Sequence, residues 1–266
     1  MHSTYKLKIV HLYPHKMNIY GDMGNIKTLE KRAHWRGIET EYITLDENSN
    51  ITDGDIFFMG GGQDNDMYSV FEDMLTQKKS KVSELVAQNK VFLLVCGGYQ
   101  LFGDYFLDAQ GREIEGLGIL PISTKSQGGK LSNRCLGDLV VKINPAILVL
   151  IRKYYAEIFS DYFVGFENHS GQTYFNNKQI INLGDTIVGS GNNISEKKEG
   201  AKFKNVFGTY SHGSLLPKNP HMADMLIGQA LQNKYKDEKI SLSKLDDSVE
   251  ILAHNAILKR YNINSH

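Results

Sequence analysis

Val91-Phe92-Leu93-Leu94-Val95-Cys96-Gly97-Gly98-Tyr99-Gln100 is an apolar run that stops at a cysteine and breaks into two glycines. The run reads as a buried strand. The glycines permit the tight turn into a helix that lifts a nucleophile out of a sheet. A thiol at such a turn sits near a helix N-terminus, where the dipole favours thiolate and free N–H groups can hold an oxyanion. Upstream of it, apolar runs alternate with amphipathic segments. Residues 7–12, 38–45 and 55–59 read as strands, and residues 25–35 and 70–89 as helices. That rhythm predicts parallel pairing through right-handed crossovers. Continuous apolar strands such as 92–95 suit a sheet covered on both faces.

Downstream the character changes. Residues 118–122, 137–143, 163–166, 173–175, 185–189 and 205–210 read as short strands, some of them antiparallel. Residues 126–133 and 195–204 read as exposed loops. Helix returns at 222–234, and a polar stretch at 234–243 leads to a last helix at 245–261, expected to lie on the core. The composition is that of an ordinary globular chain: 266 residues, 41% hydrophobic, 23% charged, with 30 basic and 30 acidic side chains. A net charge of zero argues against a nucleic-acid partner, which selects a basic face. The N-terminal segment has no apolar h-region, so no secretory signal is expected. Apolar stretches such as 146–151 are too short to span a bilayer. Two cysteines make no disulfide framework, and a reducing, cytoplasmic setting is expected.

Two further motifs bear on Cys96. Gly60-Gly61-Gly62-Gln63-Asp64 directly follows a strand. No Lys-Ser or Lys-Thr follows at the spacing of a phosphate loop. Loops at the carboxyl ends of neighbouring strands converge in a doubly wound sheet. The N–H of Gly61 or Gly62 is therefore expected beside Cys96, forming with the Gly97 N–H a two-donor oxyanion hole. His212 ends the strand in Val206-Phe207-Gly208-Thr209-Tyr210-Ser211-His212-Gly213. A neutral imidazole there takes the thiol proton, and the imidazolium returns it to a leaving amine. Cys135 reads as an incidental residue of a polar loop. No metal site is expected, since neither CxxC nor HExxH occurs. His11 and His15 are four apart, but Pro14 between them argues against a helix.

With these residues in order, the chain resembles the class I glutamine amidotransferases of the cobyric-acid-synthase-like branch. Within that branch it is nearest to the glutaminase subunits of lipid II isoglutaminyl synthases. The resemblance also rests on Gly116-Leu117-Gly118-Ile119-Leu120, Gly165-Phe166-Glu167-Asn168-His169 and Leu216-Pro217-Lys218-Asn219-Pro220. It implies an α/β fold, a three-layer α/β/α flavodoxin-like sandwich with a mixed, mostly parallel central sheet. The amidotransferase domain would span residues 5–236, with a helical extension over 237–266. The implied reaction is hydrolysis of L-glutamine to glutamate and ammonia, without a cofactor. Cys96 would form a γ-glutamyl thioester, and His212 would serve as general acid and base. Gln100 would border the substrate pocket. Arg134, in Asn133-Arg134-Cys135-Leu136-Gly137-Asp138, would face the substrate α-carboxylate. Glu167 and His169 would support the pocket. Two departures stand out. Most class I enzymes carry Glu two residues after the histidine, where this chain has Ser214, so the orienting carboxylate is expected to come from a partner or to be absent. Leu94 stands where small residues are common, so crowding of the turn is expected.

The chain shows no ATP site of its own. The resemblance therefore implies a heterodimer with a Mur-ligase-like, ATP-dependent synthetase subunit. That partner would use the ammonia to amidate the α-carboxyl of D-glutamate in lipid II, giving D-isoglutamine. The alternatives are a related subunit serving another acceptor, such as a cobyrinate-like compound, and a γ-glutamyl cysteine hydrolase acting alone.

Overall fold

The structure, a computed structural model, describes residues 5–128, 134–155, 157–177 and 179–264. The first half runs β1 (Lys6–Leu12), α1 (Met23–His34), β2 (Glu39–Leu45), β3 (Ile56–Met59), α2 (Asp64–Asp73), α3 (Lys79–Ala87), β4 (Val91–Val95) and α4 (Gly97–Leu101). The second half begins with β5 (Tyr105–Leu107), β6 (Glu113–Glu115), β7 (Ile122–Ser126), β8 (Cys135–Ile143), α5 (Pro145–Tyr154) and β9 (Tyr162–His169). It continues through β10 (Gly171–Phe175), β11 (Gly184–Val188), β12 (Lys198–Glu199), β13 (Ala201–Phe203) and β14 (Val206–Thr209). Helices α6 (Pro220–Lys234) and α7 (Ser248–Arg260) close it.

The central sheet has the order β13-β14-β4-β3-β1-β2. Its strands are parallel except β13, which runs against β14. Every residue of β3 and β4 is buried, as expected for central strands covered on both faces. Helices α1 and α6 pack on each other, and α6 lies against β3 and β4. The result is a three-layer α/β/α sandwich. Strand β1 has β2 on one side and β3 on the other. The winding direction reverses there, and a crevice opens at the carboxyl ends of the strands. Two smaller sheets flank this frame, β10-β7-β5-β6 and β12-β11-β8-β9. In the second, β8 and β9 pair antiparallel from Cys135↔His169 to Lys142↔Tyr162.

Several elements differ from the sequence reading. The helix expected at 70–89 begins at Asp64 and contains a π-turn over Met74–Lys78. There the buried Lys78 ammonium pairs with Asp73, which also accepts a hydrogen bond from Tyr13 Oη at 2.7 Å. No strand forms at 118–121. Gly118 adopts φ +66°, and the amides of Leu117, Gly118 and Ile119 donate to the carbonyls of Leu101, Gly103 and Phe102 instead. The loop expected at 126–133 lies partly outside the described residues. Cys135 is the buried first residue of β8, not part of a loop, and accepts from Gln172 Nε2 at 3.4 Å. The C-terminal helix lies on the core, as expected. Its His254 is buried and bonds Lys218 O at 2.9 Å and Ser160 Oγ at 3.0 Å.

Candidate active site

Four chain segments meet at the carboxyl end of the central sheet. The first is the turn after β4. Cys96 holds φ 51° and ψ −105°, a backbone conformation that costs an L-residue on the order of 1–3 kcal/mol. The turn is fixed from both sides: Cys96 N donates to Thr209 O, and Gln100 N to Cys96 O, each at 2.9 Å. A Cβ at Gly98 would lie 2.8 Å from Met59 O, so only glycine lets α4 start this close to β3. Leu94 is fully buried within β4 and leaves the turn intact, contrary to the crowding expected of it.

The second segment carries His212, just beyond β14. A two-way backbone bridge to Phe166 fixes it, with His212 N to Phe166 O at 2.6 Å. The ring is fully buried, and Tyr20 meets it edge-on at 5.0 Å. The third segment is the glycine loop after β3. A Cβ at Gly61 would lie 2.7 Å from His212 Cε1 and 3.2 Å from Cys96 Cβ. The peptide of Gly61 thus lies against both cysteine and imidazole, and the three motifs converge as the sequence predicts. Nε2 of His212 lacks a well-aligned bond, yet the Cys96 side chain is near enough to act on the ring. Contacts of this kind commonly tighten only around substrate. Burial pushes the imidazole pKa down, but the Cys96 charge and hydrogen bonding to Asp22 and Cys96 outweigh it and raise the pKa to about 10.

The fourth segment is the loop between β1 and α1, which the sequence reading passed over. Asp22 is fully buried, and both its carboxylate oxygens lie 3.2 Å from His212 Nδ1. The expectation that this chain lacks a carboxylate at the histidine is therefore corrected. Ser214 does not take that place. Its hydroxyl donates to Gly21 O at 2.6 Å, tying the Asp22 loop to the histidine segment. The only signal in the sequence was an aspartate in the turn after the first strand, where carboxyl-end loops converge.

Asp22 also corrects one of the three oxyanion donors. The Gly61 N–H already donates to Asp22 Oδ2 at 2.9 Å. Among the described residues, the amides of Gly62 and Gly97 have no acceptor and remain available.

Cys96 opens into a cavity of about 630 Å³ whose lining includes Gly62, Gln100, Arg134, Asn168 and His169. Gln100 Nε2 donates to Tyr210 Oη at 3.1 Å. The β8–β9 register sets Arg134 opposite the end of β9, where its guanidinium bonds Asn168 Oδ1 at 2.8 Å and Asn168 O at 3.2 Å. Glu167 accepts from the Ser190 and Gly191 amides at 2.7 and 2.9 Å and lies 3.5 Å from His169 Nε2. His169 stacks on Tyr210 at 3.8 Å. Among the described residues no group of three or more His, Cys, Asp or Glu side chains is arranged to hold a metal ion.

A strained cysteine at a strand-to-helix elbow, with an imidazole held against it at the carboxyl edge of a parallel sheet, defines the class: an α/β protein with a thiol site for acyl transfer. The profile of the CobB/CobQ-like glutamine amidotransferase domain matches residues 8–220. The chain belongs to that family. A subunit of Streptococcus pneumoniae described as lipid II isoglutaminyl synthase (glutamine-hydrolyzing) subunit GatD is 37% identical, over 91% of this chain and 87% of that protein. The protein of the same name from Staphylococcus aureus is 36% identical, over 97% of each chain. A probable cobyric acid synthase of Methanococcus maripaludis is 27% identical over 76% of this chain. Among solved structures, PurLQS from Thermotoga maritima shares the fold at a TM-score of 0.54 and 13% identity, covering 87% of this chain and 99% of that one. The glutaminase domain of Trypanosoma brucei CTPS shares it at 0.51 and 11%, covering 90% and 98%. No helix among the described residues is long and apolar enough to cross a membrane.

Proposed function

We propose that this chain is the glutaminase subunit of a lipid II isoglutaminyl synthase, working in the cytoplasm. The observation that carries this reading is the 36% identity to the Staphylococcus aureus subunit over 97% of both chains. The site supports the chemistry. Cys96 Sγ attacks the side-chain amide carbon of glutamine, and the N–H groups of Gly62 and Gly97 hold the oxyanion. His212 protonates the departing nitrogen, which leaves as ammonia. The γ-glutamyl thioester is then opened by a water that His212 deprotonates, giving glutamate and the free thiol. Arg134 pairs with the substrate α-carboxylate, and Gln100 closes the floor of the cavity. The ammonia passes to a Mur-ligase-like, ATP-dependent subunit, forming a heterodimer with this chain, which amidates the D-glutamate α-carboxyl of lipid II to D-isoglutamine.

The test is release of glutamate and ammonia from L-glutamine, with and without the Mur-ligase-like subunit, ATP and lipid II. We expect hydrolysis that is lost in Cys96→Ala and His212→Ala, and amidated lipid II only with all components present. Glutaminase activity without amidated lipid II in the full mixture would instead favour a different acceptor. No hydrolysis under any of these conditions overturns the reading.

A further inference from the structure

We infer that Asn168 is the positioning residue behind this site's preference for a free α-carboxylate. It holds the side edge of the Arg134 guanidinium with neutral acceptors, so that the outer end and the positive charge stay open to the ligand. The inference rests on the glutaminase reading above and on the place that reading gives Arg134.

Two guanidinium groups line the cavity beside Cys96, those of Arg112 and Arg134. They are held in different ways. Arg112 Nε donates to Oδ2 of the buried Asp108 at 2.7 Å, and its Nη2 donates to Tyr68 Oη at 3.1 Å. Its charge is thus matched by a carboxylate of its own chain. Arg134 has no carboxylate partner among the described residues. Its Nε donates to Asn168 Oδ1 at 2.8 Å and its Nη2 to Asn168 O at 3.2 Å. A half-buried cation without counter-charge on a cavity wall selects an anion.

The geometry leaves room for that anion. Nε and Nη2 share one edge of the planar group, and a single residue takes up both. Of the five N–H donors of a guanidinium, those left over point from the end of the fork, where a carboxylate accepts two parallel bonds. The sheet fixes this arrangement. Asn168 stands opposite Leu136 in the β8–β9 ladder. Arg134, two residues before Leu136, is therefore its diagonal neighbour on the same face, within reach of a long side chain. Just beyond, Gln127 N donates to Ser170 O at 3.0 Å and ties the end of β9 to the neighbouring sheet. An amide suits the task better than a carboxylate would. Aspartate of the same shape would hold the guanidinium more strongly, but would cancel the charge that draws the ligand.

The experiment is steady-state kinetics of the full chain, alone and with its synthetase subunit, for wild type, Asn168→Asp, Asn168→Ala, Arg134→Ala and the double alanine variant. Two compounds are compared: L-glutamine and L-glutamine α-amide, in which a neutral carboxamide replaces the α-carboxylate. The second is read as a substrate or, without turnover, as a competitive inhibitor. Wild type is expected to favour glutamine by about 10-fold or more. Asn168→Asp is expected to raise KM for glutamine roughly 10-fold or more with kcat little changed, and to weaken the α-amide far less, so that the preference collapses. Asn168→Ala, which keeps the backbone acceptor, is expected to raise KM by a smaller factor, and to add nothing in the Arg134→Ala background, because it acts through the guanidinium. A merely structural role would weaken both compounds alike and persist without Arg134. Asn168→Asp with wild-type KM and preference, or Asn168→Ala acting equally with and without Arg134, overturns the inference and leaves the glutaminase reading intact. A wild-type chain that hydrolyses no glutamine, alone or in complex, takes both down.

Discussion

At the scale of single residues, the turn at Cys96 was legible because its requirements are local. A buried run, a cysteine and two glycines in sequence state the elbow outright, and Cys96 adopts the positive φ that such a turn demands. The sequence offers Arg134 as the basic residue for an α-carboxylate, and β8–β9 pairing sets it in the cavity lining. In the proposed role, truncating Arg134→Ala removes a charge-assisted contact made equally by substrate and transition state. Such contacts contribute about 1.5–3 kcal/mol, so KM for glutamine is expected to rise roughly 10- to 150-fold with kcat nearly unchanged. Steady-state kinetics checks this, and a fall in kcat at constant KM would sink the assignment. Asp22 was not legible, because its partner lies 190 residues away and no spacing rule links them. The engagement of the Gly61 amide was hidden for the same reason: it depends on a side chain from another loop.

At the scale of elements, the parallel strands were readable from unbroken apolar runs, and the helices between them from their periodicity. The shortest strands were less so. β5, β6, β12 and β13 are two or three residues long, too short for a period to register. The β12–β14 region carries a consequence for pH. Glu199 is fully buried at its head, accepting from Thr209 Oγ1 at 2.5 Å and from Tyr210 N at 2.9 Å. Burial, only partly countered by those hydrogen bonds, lifts its pKa to about 7. The folded chain therefore keeps a proton that the unfolded chain gives up near the ordinary glutamate value, and stability falls as pH rises through that interval. Glu199→Gln cancels the loss. Thermal melting is expected to show the variant more stable than wild type by on the order of 2 kcal/mol at about pH 8 and nearly equal at about pH 5. Equal differences at both pH values would refute this reading.

At the scale of the whole molecule, one buried cation joins elements that are far apart in the chain. Arg32 on α1 bonds Asp224 on α6 at 2.7 Å and Asp247, just before α7, at 2.5 Å. Asp247 also accepts from Tyr155 Oη at 2.7 Å. The C-terminal helix is thereby fastened to the central layers. Removing one member of a buried ion network leaves uncompensated charge, at a cost of about 3–5 kcal/mol. Arg32→Ala is accordingly expected to lower the denaturation midpoint strongly in guanidinium titration, and a change of under about 1 kcal/mol would contradict the role. The same long-range design governs when reactivity arises. The sulfur emerges from the ribosome well before residue 212, so a nascent or prematurely terminated chain carries Cys96 with no base beside it. In the proposed reaction, competence to consume glutamine is withheld until synthesis has passed residue 212 and the two segments have folded together.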